Sequence, residues 1–277
     1  MNAWARFRHN RLALIGLTLV VVLALSAALA PWLAPYDPAR QSLVEKRTLP
    51  GAKYLLGADE FGRDILSRVI HGSRVALLVG VLSVLIALAG GVLLGTLAGY
   101  AGGWLDAVMM RGIEILLAFP YLLLALAIVA AMGPGVLNTT IAVGIWGVPA
   151  VTRIVRGSVL VLRETEYVGA ARALGAAAPA LLRRHILPNI LPGLVVYATL
   201  FMANAILLEA ALSFLGLGVQ PPTASWGLMV STGRDVLLVA PHVATVPGVA
   251  IMVAVLAFNL VGDGLRDALD PRLRGSA

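Results

Sequence analysis

The residues of this chain that could do chemistry are few and widely separated. Its four histidines, His9, His71, His185 and His242, are too scattered in the sequence to indicate a metal cluster. The motifs Gly-x-x-x-x-Gly-Lys-Ser/Thr, Gly-x-Ser-x-Gly and His-Glu-x-x-His are all absent. We therefore expect no catalytic residue, no metal ligand and no cofactor, and no ATP hydrolysis by the chain itself.

Polar side chains inside the apolar stretches are the next candidates. Glu209 is an ionisable group near the end of such a stretch. Two roles are open for it: contact with a cationic amine, or a structural pairing with a backbone amide or an arginine. Asn204 lies in the same stretch, where asparagines commonly form hydrogen bonds between helices. We predict Asn204 and Glu209 as residues of a substrate pathway.

The composition indicates that these stretches lie in a membrane. Of the 277 residues, 60% are hydrophobic and 13% are charged, which is about half the charged share of an ordinary soluble domain. The net charge of +7 comes from short basic clusters between long apolar runs. Such clusters are typical of loops between membrane spans, so we expect no nucleic-acid partner. The absence of cysteine excludes disulfides and thiolate metal sites.

Windows without charged residues predict six membrane-spanning helices, because about 20 apolar residues cross the hydrocarbon core as a helix. The run Met132-Gly133-Pro134-Gly135 divides the longest window into two helices. Glycines and prolines in residues 210–233 predict a loop, or a segment that dips back toward the membrane. The predicted spans lie near residues 12–33, 76–99, 113–132, 136–152, 194–213 and 243–261.

The distribution of charge predicts that both termini are cytoplasmic. With the N-terminus inside, 13 of the 21 basic residues fall in inner segments. Of the other eight, seven fall in one long outer loop, residues 37–74, and long loops count less in setting orientation.

Three smaller patterns predict how the segments are held. Close packing between helices is predicted at Gly90, Gly91, Gly95 and Gly99. Anchoring to anionic lipid is predicted for Arg153, Arg156 and Arg163, which share a helical face. Exposed local salt bridges in the outer loop are predicted for Asp59, Arg63, Asp64 and Arg68.

The inner loop, residues 153–192, is long enough to suggest a function of its own. It contains two short helical stretches separated by Gly175, which predicts a compact knob outside the membrane. On the first stretch, helical spacing gives an apolar stripe of Tyr167, Ala170, Ala171 and Leu174. Such a stripe either seats in the groove of a partner protein or packs against the chain's own helix ends.

The knob resembles a known element. The run Gly169-Ala170-Ala171-x-x-x-Gly175, followed by His185-Ile186-Leu187-Pro188, is similar to the Glu-Ala-Ala-x-x-x-Gly…Ile-x-Leu-Pro loop of ABC importer permeases. Gly169 occupies the position of the usual Glu, and His185 that of the first Ile. In that family the loop docks on the ATPase subunit. The resemblance implies an ATPase-coupling surface of Tyr167, Gly169, Ala170, Ala171, Leu174, Gly175, Leu187 and Pro188.

The resemblance covers nearly the whole chain. Stretches similar to the dipeptide, oligopeptide and nickel permeases of this family lie at residues 30–38, 56–68, 209–227 and 262–271. It implies an all-α membrane protein with six transmembrane helices and the type I ABC importer permease fold. The features before residue 75 are similar to those of the second of two permease types. They divide the chain into an N-terminal span with the outer loop (residues 1–74) and a core of five spans (residues 75–277).

The implied function is one half of the translocation pathway for short peptides or a related solute such as nickel. The implied partners are a homologous permease, two ABC ATPases and an extracytoplasmic solute-binding protein, assembled in the inner membrane of a bacterium. A self-contained secondary transporter or channel is the alternative. It would need coupling-ion ligands or inverted repeats, and neither is visible in the sequence.

Overall fold

A computed structural model of the chain describes residues 3–269, and its regular elements are helices. The chain begins with α1 (Ala3–His9), α2 (Arg11–Ala28) and the single turn α3 (Ala30–Leu33). A long loop, residues 34–64, then leads to α4 (Ile65–Ala101). The helices that follow are α5 (Gly103–Ala118), α6 (Tyr121–Met132), α7 (Val136–Leu162), α8 (Glu166–Ala173), α9 (Ala178–Leu181), α10 (Leu187–Phe214), α11 (Trp226–Arg234) and α12 (His242–Leu269).

Up to six segments can cross a membrane, as the sequence predicts. The helices α2, α4, α7, α10 and α12 are each long and apolar enough, and α5 with α6 forms a further candidate that is bent by 95°. The prediction of one continuous helix over residues 113–132 is wrong. The break falls at Phe119 and Pro120, because proline restricts the preceding residue to extended backbone, and Phe119 has φ −80° and ψ 134°.

Glycines bring α4 and α7 into close contact, as predicted. A Cβ atom added at Gly91 would lie 2.4 Å from the Cβ of Val151, and one added at Gly99 would lie 2.9 Å from the Cβ of Val159. Between them, a Cβ at Gly95 would lie 2.6 Å from the carbonyl oxygen of Thr152. Residues later in α4 contact residues later in α7, so the two helices run parallel. Side chains larger than hydrogen would force them apart.

The segment after α10 is folded against the bundle. The loop after Phe214 leads into the short helix α11, which packs on α10 and α12. Trp226 is buried, and its indole N–H donates a hydrogen bond to the carbonyl oxygen of Val69 at 2.9 Å. Gly227 lies against the backbone of Ala210. Residues 210–233 therefore contain no continuous lipid-exposed helix, which confirms the prediction from their glycines and prolines.

Several helices extend beyond the charge-free windows. Asp64 caps α4 by accepting a hydrogen bond from the backbone N–H of Ser67 at 2.8 Å, so this helix begins well before residue 76. The helix α7 continues through Arg153 and Arg156 to Leu162. The stretch outside the long helices is therefore shorter than the predicted loop, residues 153–192. The division of the chain at residues 74–75 stays a prediction, and both residues lie within α4.

Candidate functional site

Residues 163–186, which join α7 to α10, form a compact knob that we call the α8–α9 knob. Val168 of α8, Leu181 of α9 and Ile186 of the following π-helical turn (Leu182–Ile186) are all buried. They pack in one apolar cluster with Val155 and Val159 of α7. The knob is thus fastened to the helix bundle by its own core, and movement of its base would move α7 and α10 as well.

Gly175 ends α8 as predicted. Its φ of +84° lies in the left-handed region, which glycine enters without the steric cost of a Cβ atom. The backbone N–H of Gly175 donates to the carbonyl of Arg172 at 3.0 Å, and that of Ala176 donates to the carbonyl of Ala171 at 3.1 Å. These two bonds form a Schellman motif, which satisfies the last carbonyls of α8 and sets the direction of the chain into α9.

The predicted stripe on α8 is divided between two faces. Leu174 is 90% exposed and Tyr167 is 45% exposed, and Gly169 and Ala170 are exposed with them. Ala171 is half-buried and packs against the apolar cluster beneath the knob. Packing against the chain itself is thus observed for one part of the stripe, and seating in a partner's groove stays a prediction for the rest. One side of α8 packs on the chain itself, and the other presents an apolar surface to solvent.

The start of α10 is linked to the exposed side of α8. The side-chain amide of Asn189 donates to the carbonyl of His185 at 2.6 Å and to the hydroxyl of Tyr167 at 3.4 Å. The rings of Tyr167 and His185 lie with their centroids 6.3 Å apart. Asn189 was not predicted as a site residue. It lies four residues after His185, a spacing at which side chains on a helix are neighbours.

The two remaining predicted coupling residues lie at the base of the knob. Pro188 is exposed just after the π-helical turn. Leu187 lines an apolar groove of about 550 Å³ between α4 and α10. Thr96 also lines this groove, and its hydroxyl is buried without a hydrogen-bond partner among the described residues. Leu187 thus contributes to the contact between helices more than to the exposed face of the knob.

Two arginines above the knob bind to the chain itself. Arg156 of α7 forms a bidentate salt bridge with Asp106 of α5, with N–O distances of 2.5 and 2.6 Å. Arg163 donates to the carbonyl of Gly99 near the end of α4 at 2.9 Å. The prediction that these two arginines anchor to lipid is wrong, because each has a partner on a neighbouring helix. Arg153 is exposed.

Glu209 and Asn204 occupy different environments on α10. Glu209 is 1% exposed, and its Oε1 accepts hydrogen bonds from the hydroxyls of Ser213 at 2.7 Å and Ser225 at 2.9 Å. Ser213 in turn accepts from the backbone N–H of Val219 at 3.0 Å. This network fastens the loop before α11 to α10. Asn204 is exposed, and its amide donates to the carbonyl oxygen one helical turn earlier.

At the opposite end of α4, the long loop is held by a buried ion network. Arg63 donates from Nε to Asp59 at 2.6 Å, and the Nε of Arg68 lies 3.5 Å from the same carboxylate. All three side chains are at most 7% exposed, so the prediction of salt bridges is confirmed but that of exposure is wrong. Asp64 caps α4 and is not part of an ion pair among the described residues.

A second carboxylate orders the tip of the long loop. Glu45 lies on a 3₁₀ turn (Leu43–Glu45) and accepts hydrogen bonds from the ammonium of Lys53 and, at 2.7 Å, from the hydroxyl of Tyr54. These donors, with Lys53 the stronger, lower the pKa of Glu45 to about 2. The same bond raises the pKa of the Tyr54 hydroxyl to about 12, because the neutral phenol is the donor. Both groups hold this arrangement throughout the neutral range.

Comparison with known families agrees with this architecture. The chain matches the family described as "binding-protein-dependent transport system inner membrane component" over residues 91–275. It also matches the N-terminal transmembrane domain of oligopeptide transport permease C over residues 1–50. The chain belongs to the binding-protein-dependent ABC importer permeases. Within them it is of the second permease type, as its first span and long loop predict.

Individual relatives of this permease cover nearly its whole length. It is 49% identical to the di/tripeptide transport system permease protein DppC of Pseudomonas aeruginosa (strain UCBPP-PA14), over 99% of this chain and 92% of the relative. It is 46% identical to the glutathione transport system permease protein GsiD of Escherichia coli O6:K15:H31, over 98% and 90%. Among solved structures, the inward-facing MetNI methionine ABC transporter aligns with a TM-score of 0.57 at 20% identity, over 74% of this chain and 96% of that chain.

Family membership settles the class of function. The chain is a multi-pass inner-membrane permease subunit of an ABC importer, and ATP hydrolysis and solute capture belong to separate partner proteins. The alternative of a self-contained secondary transporter or channel is therefore wrong. Among residues 3–269, no group of three histidine, cysteine or acidic side chains is placed to hold a metal ion.

Proposed function

We propose that this permease carries di- and tripeptides, and that it does so as one of two homologous permeases coupled to two ATPase subunits. Two relatives at nearly half identity support the substrate class, because one is named for di/tripeptides and the other for glutathione, itself a tripeptide. The observation that carries the coupling role is the exposed apolar face of α8, with Leu174 90% exposed at its end. Contiguous apolar surface on a segment outside the membrane is typical of a site that a partner protein covers.

The docking surface consists of Tyr167, Gly169, Ala170, Leu174 and Gly175, with Ala171, Leu187 and Pro188 supporting it from below. Alternating access requires that the ATPases bind the two conformations of the permease with different affinity. A buried core fastens the knob to α7 and α10. Closure of the ATPases on the knob would therefore displace both helices, and the two conformations would present the knob differently to the ATPases. Asn204 stays a proposal for the pathway. For Glu209 we favour the structural role, because its carboxylate is buried and accepts hydrogen bonds from two serines.

The proposed orientation puts both termini and the α8–α9 knob in the cytoplasm and the long loop outside. The excess of arginine in the segments on the knob side supports it. The parallel packing of α4 and α7 is consistent with it, since both helices then run from the outer to the inner face.

Uptake by proteoliposomes containing the complete transporter tests this function. We expect accumulation of labelled di- and tripeptides only with ATP, the ATPases and the solute-binding protein present. Uptake of nickel in preference to peptides would contradict the substrate class.

A pair of variants at one position tests the docking surface separately. Leu174→Asp places a charge in the apolar contact, so the ATPases should no longer co-purify with the permease, and uptake should fall to background. Leu174→Met keeps an apolar side chain of similar size and should retain both. Normal ATPase binding by Leu174→Asp would refute the role of the knob while leaving the peptide assignment intact.

A further inference from the structure

The long loop contains large apolar side chains that are exposed to solvent on an ordered turn. Val44 is 97% exposed and Leu43 is 67% exposed, and both lie on the 3₁₀ turn that ends at Glu45. On the same turn, Glu45 accepts hydrogen bonds from Tyr54 and Lys53. The carboxylate of Glu45 therefore holds the turn in one conformation, and its two apolar residues are exposed on an ordered segment.

The backbone behind this turn is also constrained. Arg47 has a φ of +59°, in the left-handed region that residues other than glycine rarely adopt. Its backbone N–H donates to the carbonyl of Asp59 at 2.8 Å, and the N–H of Ser42 donates to the carbonyl of Phe61 at 3.0 Å. Strained conformations that the surrounding structure holds in place are concentrated at functional sites. The turn is thus pinned on both sides to the buried ion network.

Positive charge flanks the apolar residues in the sequence. Residues 37–53 contain four basic and two acidic side chains, giving a net charge of +2. Arg40, Lys46 and Arg47 are exposed, and they form no ion pair with any of the described residues. A complementary surface would carry acidic side chains around an apolar centre.

A polar pocket of about 140 Å³ opens beside the turn and is lined in part by Tyr36, Arg40, Glu45 and Tyr54. Pockets that hold small-molecule ligands are usually of about 300 Å³ or more, so this one suits a single side chain of a partner protein better than a transported peptide. Its polar lining also argues against insertion of the tip into hydrocarbon.

We propose that Arg40, Leu43, Val44, Lys46 and Arg47, which we call the loop tip, form the surface on which the extracytoplasmic solute-binding protein docks. The partner surface has acidic residues around an apolar contact. This inference rests on the proposed function, which places the long loop outside the membrane. It explains why an importer permease has an ordered, basic and apolar surface at the end opposite its ATPase knob.

Cysteine footprinting tests the contact directly. Because the native chain has no cysteine, Val44→Cys provides a single reactive thiol in this subunit. In the assembled transporter in nanodiscs, a membrane-impermeant maleimide should modify it rapidly, and the purified solute-binding protein should slow the reaction at least fivefold. Glu164→Cys, at the knob end and outside the proposed ATPase contact, replaces a side chain that is 72% exposed. It is the control and should react at a rate that the binding protein changes less than twofold. Equal reaction at Val44→Cys with and without the binding protein overturns the proposal.

Affinity measurements give a second test. Val44→Asp and Lys46→Glu should each weaken docking of the binding protein at least tenfold, while Val44→Ile stays within twofold of the native chain. Basal ATPase activity without the binding protein should not change. Normal docking by Val44→Asp in a transporter that still takes up peptide overturns the docking surface and leaves the proposed function standing. Failure of Val44→Cys to react before the binding protein is added also overturns it, because lipid or the second permease would then already cover the tip.

Discussion

Arg156 of α7 holds the carboxylate of Asp106 with two hydrogen bonds, of 2.5 and 2.6 Å, across fifty residues of sequence. Bidentate pairing of this kind combines strength with a fixed geometry. The two side chains are 30% and 15% exposed, so solvent screens the pair in part. It fixes the first turn of α5 to α7, two turns before α7 ends at the knob.

Arg156→Ala should destabilise the permease by about 1–3 kcal/mol, less than the loss of a partner in a fully buried pair. Thermal unfolding of the purified transporter measures this change. The exchange Asp106→Arg with Arg156→Asp should recover only part of the stability, because arginine at the N-terminal end of α5 opposes the helix dipole. Full recovery by the exchange would show that the dipole contributes nothing here, and no loss in Arg156→Ala would refute the pairing.

Gly175→Val should abolish uptake while membrane insertion stays normal. A Cβ atom at this position would meet nothing within 4 Å, so the cost comes from the left-handed backbone, about 1–2 kcal/mol. That cost is enough to redirect the chain between α8 and α9. Uptake per inserted transporter is the measurement.

Gly169 provides the matched control for this substitution. It is exposed on α8 with open space around it, so Gly169→Ala should keep full uptake and favour the helix by about 1 kcal/mol. Gly169→Glu restores the residue usual in the family and should also be accommodated. Equal loss of uptake at positions 169 and 175 would contradict the conformational explanation.

Asp59→Asn should destabilise the long loop strongly. The substitution preserves shape but leaves Arg68 buried without a paired carboxylate and Arg63 with Glu60 alone, at 3.3 Å. Loss of a partner in a buried pair typically costs about 3–5 kcal/mol. Asp37→Asn is the control, because Asp37 is exposed and accepts a hydrogen bond only from the backbone N–H of Ala39 among the described residues. We expect Asp59→Asn to lower the midpoint of thermal unfolding and Asp37→Asn to leave it unchanged. Similar midpoints for both would mean that the network is dispensable.

Glu209→Gln separates the two roles that the sequence left open. The amide oxygen of glutamine can accept both serine hydrogen bonds, so a structural role predicts nearly normal peptide uptake. Contact with the amine of a substrate predicts loss of uptake instead, since the charge is removed. We expect near-normal uptake for Glu209→Gln and a loss of about 2–4 kcal/mol of stability for Glu209→Ala, which leaves two hydroxyls and a cavity unfilled.

Protonation of Glu45 should not affect docking of the solute-binding protein above about pH 4.5. The folded pKa of this carboxyl is about 2, below its ordinary value of 4.5, so its stabilising effect is complete above 4.5 and is lost as the pH falls towards 2. Glu45 is therefore ionised at both pH 5 and pH 7, and its contribution to docking should be the same at the two values. Glu45→Gln imitates protonation and should weaken docking at both values, as measured by surface plasmon resonance. An affinity unchanged by Glu45→Gln would contradict the role of the carboxylate.

Local patterns predicted much of this architecture, and pairings distant in sequence account for the rest. The spans, the glycine contacts of α4 and the knob with its stop at Gly175 follow from hydropathy, residue size and backbone freedom, which a short stretch of sequence already contains. The salt bridge between Asp106 and Arg156 does not, because nothing near either residue indicates its partner.

The same limit explains the errors. Charge-free windows placed the end of α7 too early, since an arginine inside a helix is acceptable once a neighbouring helix neutralises it. The bend at Phe119 and Pro120 was missed because hydropathy does not register the extended backbone that a proline imposes on the preceding residue. Burial of Asp59 could not be predicted, because exposure depends on the fold of the whole long loop.

The close fit of α4 against α7 has a mechanical consequence. Along Gly91, Gly95 and Gly99 the two helices leave no room for a methyl group, so they cannot slide past one another without separating. α4 alone, with 37 residues, is about 55 Å long. The pair therefore forms one stiff unit between the long loop and the knob, and we expect a displacement of either end to move both helices together.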